Sequence, residues 1–265
     1  MPCLASVIIP VYNDVTGIEI AVQALLDQDY PAAAYEIIVV DNGSTDDTPS
    51  VLKRLAAQHP DCIRLSTEST VRGSYAARNK GIELAGGEIL AFTDADCIPA
   101  RDWLSAGIAT LETCGVSCGG GAITFTFRAD RPNAYEYLDA TRKLNQKHYV
   151  EDVGFAATAN FFARRTLFEE YGHFRADVIS GGDYEFGQRL TRSGVRMVYI
   201  PTAVIQHPAR ATMKEILKKS IRLARGQRSL EQLGLLHHGK RSIGQLRPTL
   251  SYPHNPRWAD SLSCS

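Results

Sequence analysis

Three short apolar runs, residues 6–11 (SVIIPV), 36–40 (EIIVV) and 89–92 (ILAF), are separated by stretches of helical periodicity, and the last two run into carboxylates. Runs of this length and composition, bounded by polar turns, read as strands buried on both faces. Between them, residues 17–28 place Ile18, Ala21, Val22, Leu25 and Leu26 on one helical face. Residues 46–58 place Val51, Leu52 and Leu55 inward, with Asp46 as a cap, and residues 74–84 predict a further helix after a short strand at 63–65. Alternation of this kind dictates an α/β fold, with a mainly parallel sheet, right-handed crossovers and helices on both faces. In such sheets, ligands bind outside the carboxyl ends of the strands.

The second half is less periodic. A helix is predicted over 103–112 and another over 183–192, where Phe186 and Leu190 share a face. The CGGG at 118–121 reads as a flexible turn before a β-rich piece at 122–127, and 129–157 carries no regular pattern. Strands are predicted at 161–163 and at 195–200, the latter ending at Pro201. A long basic amphipathic helix starts at Thr212, and loose structure is expected beyond Leu236.

The 265 residues carry no net charge, but its distribution is uneven: residues 1–206 have a net of −8 and residues 207–265 a net of +8. This is the pattern of an acidic body with a basic tail facing something anionic. The N-terminus lacks the features of a signal peptide, and no apolar run is long enough to span a bilayer, so the expected location is cytoplasmic, peripheral at the inner face of the cell membrane. The six cysteines are scattered, which reads as free thiols in a reducing compartment.

The chemistry gathers where the strands end. Residues 93–96 (TDAD) set Asp94 and Asp96 one residue apart at the end of the 89–92 strand. Two acids there repel unless a cation joins them, and hard oxygen ligands suit Mg²⁺ or Mn²⁺. A D-x-D pair by itself is also a common solvated turn. Asp41 closes the second strand. Arg78 and Lys80, in RGSYAARNKG at 72–81, are candidates to meet phosphates. Asp183, after Ser180, Gly181 and Gly182, is either a general base or a helix cap, with Glu185 second in line. His207 follows an extended segment, within reach of a metal.

In order, residues 8–13 (IIPVYN), 40–46 (VDNGSTD), 77–81 (ARNKG), 93–96 (TDAD) and 182–185 (GDYE) resemble the motifs of family 2 glycosyltransferases with the GT-A fold. That resemblance spans about residues 5–210. It implies a mixed, mainly parallel, Rossmann-like sheet flanked by helices: a catalytic domain at 1–210, with a nucleotide-binding half at 1–115 and an acceptor-binding half at 116–210, then a basic helix and tail at 211–265. It implies that Pro10, Tyr12, Asn13 and Asp41 hold the nucleoside. Arg78, Asp94, Ala95 and Asp96 would lie along the nucleotide sugar, with Asp94, Asp96 and His207 on Mn²⁺ or Mg²⁺ and Asp183 as catalytic base. The implied reaction moves one sugar, from a UDP-sugar by preference, to a sugar, lipid-linked or other hydroxyl acceptor with inversion. Two departures stand out: Gly182 occupies a position where the family often has an acid, and the Gln-x-x-Arg-Trp motif of processive members is missing. The alternatives are a non-catalytic nucleotide-sugar-binding protein, or a sugar nucleotidyltransferase. The latter would want glycine and lysine in the loop after the first strand, where residues 10–14 have neither.

Residues 213–228 place Met213, Ile216, Leu217, Ile221 and Ala224 in a stripe flanked by lysines and arginines. That composition fits an anionic membrane surface, or a helix packed on the body with its charges solvated. With no interleaved aromatics, it does not read as a nucleic-acid surface.

Overall fold

The computed structural model describes residues 4–142 and 144–236. The opening apolar run forms β1 (Ala5–Val11), buried at every residue. Its side chains alternate between two cores. Val7, Ile9 and Val11 join the layer under helices α1 (Val15–Leu26), α2 (Thr48–Gln58) and α4 (Trp103–Cys114). Ile8 points to the opposite layer, under α3 (Ser74–Leu84), α7 (Thr166–Tyr171) and α8 (Gly182–Arg192). Period-two alternation inside a wholly apolar strand is what burial on both faces requires.

Strands β2 (Tyr35–Asp41), β3 (Ile63–Thr67) and β4 (Ile89–Thr93) complete a parallel unit with β1. The remaining strands are β5 (Ile98–Pro99), β6 (Cys118–Thr126), β7 (Asn160–Arg164) and β8 (Met197–Pro208). Together they form one eight-stranded sheet of order β3-β2-β1-β4-β7-β6-β8-β5. β7 runs antiparallel to both β4 and β6, while β6 and β8 are parallel. The sheet is therefore mixed, and mainly parallel in its first half.

Sequence expectations for three segments of the second half are corrected. The CGGG segment is not a flexible turn but the buried start of β6. A Cβ on Gly121 would lie 2.5 Å from the Ala203 carbonyl and the Asn160 amide, and one on Gly119 would lie 2.8 Å from the Val198 carbonyl. These glycines permit close approach of neighbouring chain rather than flexibility. β8 does not stop at Pro201 but continues to Pro208. The register jumps there, from Gly121 opposite Ile200 to Ala122 opposite Val204, so the bulge absorbs a residue with no amide to donate. Asn160 secures the bulge by donating to the Ala122 and Ala203 carbonyls at 2.8 and 2.9 Å. The third correction concerns 129–157, which holds α5 (Ala134–Arg142), the single turn α6 (Gln146–His148) and a π-helical turn, Tyr149–Val153. Buried Gln146 supports this region through bonds to Ala157 and Asn160, a polar network that leaves no hydrophobic period to read.

Helix α9 (Met213–Gln232) begins at Thr212 with a capping box to Glu215. Of the two arrangements open to its apolar stripe, the outward one is found: Lys219, Gly226 and Leu230 pack inward, while Met213, Leu217 and Ile221 are 56%, 56% and 44% exposed. At α2, Asp47 takes the cap position, and Asp46 accepts from the Thr48 amide at 3.0 Å. The predicted loose tail lies outside the described residues.

Candidate functional site

A cavity of about 1380 Å³ opens beyond the carboxyl ends of β1 and β4, roofed by α3, α8 and α9. That exceeds the roughly 300–1,000 Å³ of an ordinary ligand pocket, so it has room for two substrates. Eight of the expected site residues line it: Pro10, Tyr12, Arg78, Asp94, Ala95, Asp96, Asp183 and His207. Asn13 and Asp41 are not in its lining. Asn13, at φ 50°, accepts from the Thr45 amide at 2.7 Å. Asp41 accepts from the Ser44 amide at 3.1 Å, which closes the turn after β2. Both residues thus shape the loops that follow β1 and β2.

At the end of β4, ligand atoms of Asp94, Asp96, Cys97 and His207 lie within 4.8 Å of one another. His207 Nδ1 is 2.9 Å from the Pro208 carbonyl. A carbonyl only accepts, so Nδ1 carries the proton and Nε2 keeps the lone pair that a metal needs. Burial, and then the charges of Asp94 and Asp96, push the Cys97 thiol well above its ordinary range. It therefore stays a thiol, 3.8 Å from Asp96 Oδ1 as a weak donor. Two carboxylates and one imidazole nitrogen fit a hard divalent ion such as Mn²⁺ or Mg²⁺.

Arg78 is not a solvated surface cation: it is 3% exposed and ion-paired with Asp94. Helix α3 turns it inward because Ser74 and Arg78, one turn apart, share the face toward the cavity. Lys80 lies on the outside, 3.1 Å from Glu83, and does not reach the cavity. Asp14 joins the acidic wall while capping α1 through the Gly17 amide at 2.9 Å. Burial raises its carboxyl, with added repulsion from Asp96 and Asp46.

Asp183 sits in the first turn of α8, whose cap residue is Gly181 at φ 88°. Asp183 is thus a helix residue rather than the cap. Its Oδ1 accepts from the Tyr75 hydroxyl and from the Tyr184 amide, each at 3.0 Å. Burial pushes its carboxyl above the ordinary range, opposed by those hydrogen bonds and by the charge of Arg78. A carboxylate raised in this way and lining a cavity is suited to accept a proton. Glu185 is buried and paired with Arg189 at 2.7 Å, so it does not compete for that role.

The far wall is basic. Arg210, Lys219 and Arg222 line it, and Asp139 holds Lys219 at 2.9 Å and Arg210 at 3.5 Å. Sequence reading missed Tyr75, Cys97 and this Asp139 cluster as parts of the site. Cys97 directly follows the acidic pair and Tyr75 lies inside RGSYAARNKG, so position marked both. Nothing marked Asp139, whose partners are 71 and 80 positions away.

Comparison with known proteins gives the family and the fold. The model of the family described as "Glycosyl transferase family 2" matches residues 6–172, a stretch that ends before Asp183 and His207. Glycosyltransferase AglE of Haloferax volcanii is 39% identical over 225 residues, covering 84% of this chain and 72% of that protein. A dolichyl N-acetyl-α-D-glucosaminyl phosphate 3-β-D-2,3-diacetamido-2,3-dideoxy-β-D-glucuronosyltransferase of Methanococcus voltae is 27% identical over 226 residues, with 82% and 70% covered. Among solved structures, the mannosyltransferase PcManGT of Pyrobaculum calidifontis, in complex with GDP-Man and Mn²⁺, superposes with a TM-score of 0.66 at 27% identity. The superposition covers 88% of this chain and 65% of PcManGT. S. aureus TarS 1–349 in complex with UDP-GlcNAc gives 0.62 at 20% identity, over 79% of this chain and 59% of that one, a likeness of fold. The mixed sheet with its flanking helices is the GT-A fold.

Proposed function

The chain belongs to glycosyl transferase family 2, and on that premise we propose that it moves one sugar from a nucleoside-diphosphate sugar to an acceptor hydroxyl, with inversion at the anomeric carbon. One observation carries this reading: a single cavity brings Asp94, Asp96 and His207 together with Asp183. Residues 1–115 supply the donor half and 116–210 the acceptor half. Pro10 and Tyr12 flank the nucleoside, with Asn13 and Asp41 setting the loops around it.

Asp94, Asp96 and His207 would hold the divalent ion, Mn²⁺ or Mg²⁺. When bound, it supplies Lewis-acid charge to the departing diphosphate. Asp183 accepts the proton of the acceptor hydroxyl as that oxygen attacks the anomeric carbon from the face opposite the leaving group. Arg78, held against Asp94, offsets the negative charge that two adjacent carboxylates and a diphosphate concentrate there. PcManGT, solved with GDP-Man and Mn²⁺, and TarS, solved with UDP-GlcNAc, support a nucleotide-sugar donor. The relatives' names and the basic wall support a lipid-linked or phosphorylated glycan acceptor. The exposed side of α9, within residues 213–228, supports docking on an anionic membrane.

Two measurements test the reading. A thermal-shift panel of UDP, GDP, dTDP and CMP, with and without Mn²⁺, should show one Mn²⁺-dependent stabilisation, of about 2.7 kcal/mol at 100 times the dissociation constant. Asp183→Asn should then lower transfer by about 10²–10⁴-fold while that nucleotide still binds. Near-full turnover in Asp183→Asn would remove the base assignment.

A further inference from the structure

We propose that Tyr75 is the positioning residue of the base: its hydroxyl pins Oδ1 of Asp183 and leaves Oδ2 as the oxygen that takes the acceptor proton. The inference rests on the reading of Asp183 as base. The hydrogen bonds that other residues give this carboxylate, from the Tyr75 hydroxyl and the Tyr184 amide, end on Oδ1. Two donors fill the two lone-pair sites of one carboxylate oxygen. Among the described residues, no other residue donates to Oδ2.

Tyr75 has little room to move. Its side chain is 6% exposed, and its ring lies 5.9 Å from that of Phe174, with the Arg78 guanidinium 5.6 Å from the ring centre. On the remaining side the ring lies against Gly182: a Cβ there would fall 2.9–3.0 Å from three ring atoms. The glycine at 182 and the tyrosine at 75 are therefore complementary. A side chain at 182 would displace the ring, and an acidic one would add a negative charge beside Asp183. Tyr75 instead supplies a neutral donor, which favours the charged form of its partner. Burial pushes the phenol itself far upward, so it keeps its proton wherever the enzyme works. The other groups around Asp183 are Arg78 on α3, Tyr184 beside it on α8 and Tyr149 from the π-helical turn.

The step balances at named atoms. The acceptor oxygen forms its bond to the anomeric carbon, and its proton passes to Asp183 Oδ2. The bond from that carbon to the diphosphate breaks, and the electron pair leaves with the diphosphate.

The test is the pH profile of nucleoside diphosphate release from the nucleotide sugar that the protein turns over, with water or acceptor as attacking hydroxyl. Removing the Tyr75 hydroxyl takes away a bond that favours the carboxylate, so the proton is held more tightly and the base is free only at higher pH. Tyr75→Phe should move the acidic limb of kcat/KM upward by about 1–2 pH units. Its nucleoside diphosphate affinity in Mn²⁺ should stay unchanged. Gly182→Ala, which forces the ring aside, should move the limb the same way, and the double variant should move it no further than Tyr75→Phe does. A profile that drops at every pH with its limb in place would overturn the proposal. Should Tyr75→Phe fail to fold, an unmoved limb in Gly182→Ala would overturn it just as well. Retained turnover in Asp183→Asn would instead remove the base reading beneath it.

Discussion

At the scale of single residues, the site is a set of carboxylates kept apart by what each one touches. Asp94 is neutralised by Arg78, Asp14 is tied to the Gly17 amide, and Asp183 is held through one oxygen. Asp96 accepts only the weak Cys97 donor among the described residues, which leaves it the most available metal ligand of the group. Asp96→Asn should therefore abolish the Mn²⁺-dependent part of the thermal shift while leaving metal-free stability within about 0.5 kcal/mol, as for a substitution away from the core. Isothermal titration of Mn²⁺ would check it, and unchanged affinity would refute the ligand assignment. Most of this site was legible in the sequence, because acids that close apolar strands have few structural reasons to be there. Arg78 was visible only as a candidate, since a basic residue on a predicted helix looks the same whether it faces water or a carboxylate. Tyr75 was not visible, because its role depends on a bare backbone at Gly182, far along the chain.

At the scale of elements, the first half was legible and the second was not, for a physical reason. Strands β1, β2 and β4 are buried on both faces, and their apolar composition announces them. β6 is built on glycines because neighbouring chain crowds it, so its sequence imitates a turn. Helix α9 reverses the usual rule: a charge faces inward and apolar residues face out. The reason is Asp139, 4% exposed, which needs the ammonium of Lys219. Burial alone would raise the Asp139 carboxyl, but Lys219 and Arg210 hold it below its ordinary range. Lys219→Met should cost about 3 kcal/mol by leaving a poorly compensated buried charge, read as a lower Tm and faster amide exchange along α9. A depressed carboxyl contributes stability that is fully present above its unfolded pKa and is lost as the pH falls through its folded pKa. The gap between wild type and Lys219→Met should accordingly narrow in acid. Pairing Asp139→Leu with Lys219→Met should recover most of the loss, and failure to recover it would show that the pair does more than balance charge.

At the scale of the whole molecule, the described residues contain no helix long and apolar enough to cross a membrane. What they present is a helix at the cavity mouth, with Met213, Leu217 and Ile221 outward among lysines and arginines. The protein should co-sediment with anionic vesicles at low salt, each cation near the surface contributing about 1 kcal/mol. Leu217→Glu with Ile221→Glu should reduce that binding at least tenfold without touching the cavity. Retained binding would place the contact elsewhere. The bond between Tyr75 and Asp183 joins positions 108 apart, across the antiparallel join of β4 and β7. Contacts of such sequence separation are costly in loop-closure entropy and form slowly. Competence is consequently a late event in the life of this chain: the proposed base finds its partner only after both halves have met.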